Sequence, residues 1–244
     1  MQRAKKELTN GAIVFNPFKD VVDDTSLLTL TNTFANTISY NRFSTKWGFD
    51  VTNVANNSKS LLTYGFEIRK LNEWTLKGRV NPLRRYTFEV IQKFGDNDLF
   101  TPKFDNRNYE IQTLYTEPRL TYTGGTSFRV STGYIFNQKN NKPIYGGEKS
   151  TSNSLNFETK YNAVNNTSLS GKFTYTKITY NGTANSAVSY VMLDALLPGK
   201  NLLWNFDVTK RLGKSLELNF QYEGRKPAET RTIHIGRASL RAIL

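Results

Sequence analysis

Cysteine is absent from the 244 residues, and histidine occurs once, at His234. Without thiols there is no disulfide framework, no thiolate metal site and no cysteine nucleophile. Any triad or histidine-based metal site would have to use His234. Long apolar runs are also missing. The longest apolar region, Val188 to Leu197, is short and broken by Ser189 and Asp194. A membrane-spanning helix needs roughly 18–20 apolar residues, so a helical membrane protein is excluded. Stretches rich in Ala, Glu, Leu and Lys, the helix formers, are nearly absent. The opening Met1-Gln2-Arg3-Ala4-Lys5-Lys6 has no apolar core behind it and is not a secretory signal. Export would therefore require these residues to be part of a longer chain, or not to be the protein's own start.

What is present is aromatic. Sixteen Phe, 13 Tyr and three Trp make up 13% of the chain, alongside abundant Thr and Asn, a mixture that suits pleated surfaces better than helices. The net charge is +13. That charge fits a solvated basic surface, a nucleic-acid groove or attraction to anionic lipid headgroups.

Residues 1–24 read as a lead-in loop or plug-like segment, with turn chemistry at Asn16-Pro17-Phe18 and Asp23-Asp24. From residue 25 to 244 one pattern recurs. Trp47, Phe49 and Val51 alternate with Lys46, Gly48 and Asp50. Tyr64, Phe66 and Ile68 alternate with Glu67 and Arg69, and Trp74, Leu76 and Val80 with Thr75, Lys77 and Arg79. The same period of two continues through Tyr86–Val90, Phe128–Phe136, Leu155–Tyr161, Leu169–Tyr175, Trp204–Val208, Leu216–Tyr222 and Ile233–Leu244. This is the signature of strands, whose successive side chains point to opposite faces. Gly124-Gly125, Asn165-Asn166, Asn181-Gly182, Pro198-Gly199 and Gly213-Lys214 punctuate it as turns. The spacing predicts an all-β, antiparallel up-and-down fold of about 12–14 strands of roughly 10–15 residues, the length typical of transmembrane barrels.

A soluble sandwich would bury the apolar face, whereas a membrane barrel turns it outward to lipid and keeps the polar face inside. Mid-strand charges of both signs, aromatics near strand ends and strands longer than the usual soluble ones favour the barrel, either complete or a sector of a larger one. On that reading Trp47, Phe49, Tyr64, Phe66, Phe128, Tyr134, Phe157, Phe173, Trp204, Phe206, Phe220, Tyr222, Leu240 and Leu244 face the membrane. Glu67, Arg69, Lys77, Arg79, Glu158, Lys160, Asp207, Glu217, Glu223 and Arg241 face the lumen, where Arg237 and Arg241 are expected to meet acidic partners such as Glu223. The alternative is a soluble glycan-binding β-sandwich.

Sidedness raises a conflict. Counting back from a periplasmic C-terminus puts the Gly213-Lys214 turn on the periplasmic side, where short turns belong. It puts the long Asn137–Ser152 connection there too, unless one strand too many is counted between residues 180 and 212.

No cofactor or metal site is expected. His234 lies within an alternating strand and reads as structural or interfacial. Asp20, Asp23 and Asp24 lack the spacing of a calcium-binding EF-hand, and no helix follows Gly124-Gly125 or Gly146-Gly147 to make a phosphate loop. Glu217 and Glu223 are about 20 Å apart along a strand, too far for a glycosidase pair. The basic run around Arg225, Lys226, Arg231, Arg237 and Arg241 has its aromatics on the opposite face, so no nucleic-acid partner is expected. Arg225 and Lys226 in a loop could instead meet lipopolysaccharide phosphates.

The C-terminal third carries Leu196-Leu197-Pro198-Gly199-Lys200-Asn201-Leu202-Leu203-Trp204, then Tyr222-Glu223-Gly224-Arg225-Lys226-Pro227, then Ile233-His234-Ile235-Gly236-Arg237-Ala238-Ser239-Leu240-Arg241-Ala242. This resembles the end of the large outer-membrane proteins of Bacteroidota. The opening Thr9-Asn10-Gly11-Ala12-Ile13-Val14-Phe15-Asn16-Pro17-Phe18 is similar to a segment that precedes the barrel in such chains. The resemblance implies a bacterial outer-membrane location in a secretion, gliding or uptake assembly, with no catalytic residue. Where such chains commonly end in Phe, this one has Leu244. The expected function is a pore or translocon sector, or else an anchor for a domain outside this chain. The expected partners are outer-membrane lipid, lipopolysaccharide and other envelope proteins or surface lipoproteins.

Overall fold

Strict alternation over ten or more residues satisfies one face of a strand only if neighbouring strands place like residues side by side, so the chain folds by pairing each strand with the next. In the computed structural model, residues 2–5, 27–63, 65–163, 166–213 and 215–242 are described. They form β1 (Gln2–Lys5), β2 (Leu27–Tyr40), β3 (Trp47–Leu62), β4 (Gly65–Leu83), β5 (Tyr86–Phe100), β6 (Tyr109–Gly124), β7 (Phe128–Asn141), β8 (Lys149–Ala163), β9 (Thr167–Tyr180), β10 (Gly199–Leu212), β11 (Leu216–Lys226) and β12 (Ile233–Ala242). A six-residue helix, α1 (Ala187–Met192), lies between β9 and β10.

The strands make one 12-stranded sheet in sequence order, every pair antiparallel. β1 and β12 are its edges, so the sheet is open among the described residues. A two-layer sandwich is not what forms. β3 to β9 run 14 to 19 residues. No helix among the described residues is long and apolar enough to cross a membrane, which leaves strand crossings untouched.

Three sequence expectations change here. The runs around Phe66 and Trp74 belong to a single 19-residue strand, β4. Gln2–Lys5, inside the expected lead-in, forms a strand on the edge of β2, while the rest of residues 1–24, including Asp20, Asp23 and Asp24, lies outside the described residues. Between residues 180 and 212, where the sequence leaves the strand count open, Val188 to Leu197 is α1 and a following loop, and β10 is the one strand.

That last change resolves the sidedness conflict. Residues 84–85, 125–127, 164–166 and 213–215 connect strands at one end of the sheet, with 41–46 beside them. The longer connections 101–108, 142–148, 181–198 and 227–232 lie at the other, joined by 63–64. At the short-turn end Gly125 (φ 66°) and Gly213 (φ 74°) take the left-handed backbone that closes such turns without a Cβ clash. With one strand fewer between residues 180 and 212, residues 142–148 fall opposite the Gly213 turn.

Candidate functional site

Directly paired residues of antiparallel strands share a face, so the register sorts every side chain of β2 to β12 onto one of two surfaces. Trp47, Phe49, Phe66, Phe128, Tyr134, Phe157, Phe173, Trp204, Phe206, Phe220, Tyr222 and Leu240 all fall on one. Glu67, Arg69, Lys77, Arg79, Glu158, Lys160, Asp207, Glu217, Glu223 and Arg241 all fall on the other. Tyr64 and Leu244 lie outside the described residues.

The burial of the two surfaces is inverted relative to a soluble protein. On the polar surface Glu117, Thr121, Ser131, Ser154 and Thr176 are buried, while on the apolar one Phe88, Leu120, Phe157, Phe206 and Phe220 are exposed by 42–47%. Among the described residues no second layer covers the polar surface apart from α1. Its side chains bury one another, which requires the sheet to curl around them, so the polar face is concave.

Ion pairs run across the concave face. Arg119 donates through Nε and Nη2 to Oε1 of Glu117 at 3.0 and 2.6 Å, and Tyr115 donates to the other oxygen at 2.5 Å. Lys77 pairs with Glu89 at 3.2 Å, Lys93 with Glu73 at 3.0 Å, Lys172 with Glu158 at 3.2 Å and Arg69 with Glu67 at 2.7 Å. One expectation is corrected. Glu223 stands opposite Ile235, not Arg237 or Arg241; Arg241 stands opposite Glu217, whose ion pair at 3.6 Å is with Arg211.

The convex face is zoned along the strands. In β6 the apolar zone runs from Leu114 to Tyr122, eight residue steps or about 27 Å at about 3.4 Å each. At its short-turn margin stand Tyr40, Trp47, Tyr86, Tyr122, Phe128 and Tyr161, with ring centroids 5.4 Å apart for Tyr40–Trp47 and 5.1 Å for Tyr86–Tyr122. Toward the other margin stand Trp74, Tyr134, Tyr175 and Trp204; Tyr134 donates to Asn153 Oδ1 at 2.5 Å. Beyond that margin the same face turns polar, with Asn57, Lys70, Asn72, Asp96, Asp98 and Glu110. Phe66 lies past this polar row, where the Lys59 ammonium sits 4.6 Å over its ring, and so is separated from the apolar zone. In the 142–148 loop Lys142 is held by Glu110, and that hydrogen bond keeps its ammonium above the usual lysine value. His234 is on the convex face, its Nδ1 2.8 Å from the Tyr222 hydroxyl and its ring stacked with Tyr222 near Trp204.

At the long-loop end the concave face carries an inward-folded loop. The 181–198 connection leaves β9 and reaches back across the sheet, so that Val188 and Met192 of α1 pack on Leu99 of β5 and Tyr109 and Ile111 of β6 in a buried apolar cluster. Ser186 caps α1, its hydroxyl accepting from Ser189 N at 3.0 Å. Lys139 of β7 fastens the loop, donating to Val191 O at 2.8 Å and Asp194 Oδ1 at 2.5 Å. None of these residues stands among the site residues expected from sequence. Their trace there is a broken alternation: β6 carries Tyr109, Ile111 and Tyr115 on one face and Leu114 and Tyr122 on the other. A strand apolar on both faces must cover something on each.

No family model and no curated protein matches the sequence. Among solved structures, the chain is similar to OmpTdeltaL8, a loop L8 deletion mutant of OmpT, an outer membrane protein of Vibrio cholerae. The similarity has 8% identity and a TM-score of 0.48, covering 88% of this chain and 97% of that one. It is also similar to the translocator domain of the autotransporter NalP from Neisseria meningitidis, with 11% identity and a TM-score of 0.38, covering 88% and 81% of the two chains.

Proposed function

We propose that this chain is the wall of a bacterial outer-membrane β-barrel, of the Bacteroidota kind its C-terminus resembles, and that it serves as a pore or translocon sector of an envelope assembly. The observation that carries this is the inverted burial: a convex apolar zone between two aromatic margins, over a concave face of paired charges. In water such a surface is an aggregation liability; against acyl chains it is the stable arrangement, with aromatics at the headgroup levels and ions enclosed. The short turns then lie on the periplasmic side and the long loops outside, where lipopolysaccharide and envelope partners or surface lipoproteins would meet them. No step of this function is catalytic. It uses His234 only as a packing partner of Tyr222 and Trp204.

A second reading, an anchor for a domain outside this chain, is favoured by α1, which occupies the long-loop mouth. Membrane fractionation with and without boiling before electrophoresis tests the barrel. A folded barrel sediments with membranes and migrates faster unboiled, whereas a soluble species with unchanged migration overturns it. Planar-bilayer conductance separates the two roles: resolved channels support the pore, and their absence from a heat-modifiable protein supports the anchor.

A further inference from the structure

The parity of the sheet assigns a missing neighbour. Eleven long strands alternate in direction from β2 to β12, so β2 and β12 both run from the long-loop end to the short-turn end. Joined directly, they would pair in parallel, whereas up-and-down barrels close through antiparallel pairs and an even number of strands. β1 has the required opposite direction. It lies on the β2 edge, but from Gln2↔Thr31 to Lys5↔Leu27 it covers only the long-loop end of that edge. Beyond it, Asn32–Tyr40 has no partner on that side among the described residues. β12 likewise has β11 as its sole neighbour among the described residues and is exposed along its whole length. Backbone groups left unpaired at hydrocarbon depth are strongly disfavoured.

Resting on the membrane-barrel reading above, we propose that this gap is filled by polypeptide immediately preceding Gln2, which prolongs β1 along Asn32–Tyr40 and presents its other edge toward β12, antiparallel to both. A second copy does not serve. Copies inserted the same way up are related by rotation about the membrane normal, which preserves strand direction and again sets β12 against β2 in parallel. The occupant's chemistry follows from the register. Continuing the register Gln2↔Thr31 and Arg3↔Leu30 would set the second, sixth and eighth residues before Met1 opposite Phe34, Ile38 and Tyr40. Those three share the convex face, so the residues opposite them are apolar.

The test compares hydrogen exchange in lipid nanodiscs for three proteins: the 244-residue chain, the chain preceded by a nine-residue strand with that alternation, and the chain preceded by the same strand interrupted by prolines. Flotation with lipid is scored first. The expected result is rapid exchange of Asn32–Tyr40 and Ile233–Ala242 in the first and third proteins, slowed about 100-fold in the second. Protection of both segments in the unextended monomer, with Thr37→Cys and Ser239→Cys joining in a disulfide, would show direct pairing and overturn the proposal. Protection that appears only in dimers, or an extension that protects neither segment, overturns it as well. A chain that fails to float sinks the membrane reading itself, and the proposal with it.

Discussion

The indole of Trp204 occupies the space over Gly224 on the neighbouring strand, and a Cβ at position 224 would overlap the ring. Glycine here opens a seat for one of the tryptophans of the convex face, beside His234 at a centroid distance of 5.9 Å. In a variant with Trp47→Phe and Trp74→Phe, Trp204 fluorescence should be quenched by brominated lipid. Adding Gly224→Val should displace the ring and weaken that quenching. Unchanged quenching would mean the ring does not depend on the seat.

Glu117 is 4% exposed, and its carboxylate takes three hydrogen bonds from Tyr115 and Arg119. Removing it leaves the Arg119 charge without its nearest partner on a partly buried wall. Glu117→Ala should cost about 2 kcal/mol of folding stability, a value below that of a fully buried pair because Arg119 keeps some solvent. Urea unfolding from lipid vesicles measures it. The Arg119→Ala, Glu117→Ala double variant should recover part of the loss.

Lys139 ties α1 to the wall through Val191 and Asp194. Lys139→Met should loosen the loop and raise the frequency or size of open-channel currents. A disulfide between Ile111→Cys and Val188→Cys should hold the mouth shut until reductant is added, with no native cysteine to interfere. If the open currents of the cysteine variant match those of the parent in both redox states, α1 does not govern the path.

The two faces should respond oppositely to charge. An arginine at Leu120 or Phe157, in the convex apolar zone, should cost about 2–4 kcal/mol in a bilayer, the cost of placing a cation near the midplane. An arginine at Thr174, on the half-buried concave wall, should cost under about 1 kcal/mol. Equal costs would mean the convex face is not in hydrocarbon.

Face assignment was legible in the sequence because parity is local: Phe157 and Glu158 differ by one residue and must point apart. Strand identity was less so. β2 reads Leu-Thr-Leu-Thr-Asn-Thr-Phe-Ala-Asn, too polar to announce a strand by apolar alternation. β6 mixes Tyr109, Ile111 and Tyr115 on its concave face with Leu114 and Tyr122 on the other, because one face carries α1 and the other belongs to the apolar zone. The number of strands between residues 180 and 212 is open in the sequence because Val188 to Leu197 is apolar without a period of two, and its contacts with Leu99, Tyr109 and Ile111, roughly eighty residues away in sequence, are what mark it as a segment folded inward. The ion pairs of Glu217 and Glu158 with Arg211 and Lys172 depend on cross-strand register, which spacing within one strand does not report.

The most direct measurement is single-cysteine labelling along β8 in lipid vesicles, from Leu155 to Tyr161, with a membrane-impermeant thiol reagent. Cysteines at Asn156, Glu158 and Lys160 should label, while those at Leu155, Phe157, Thr159 and Tyr161 should stay unlabelled until detergent is added. Labelling of the Phe157 side with protection of the Glu158 side would contradict the outward apolar face on which the account stands.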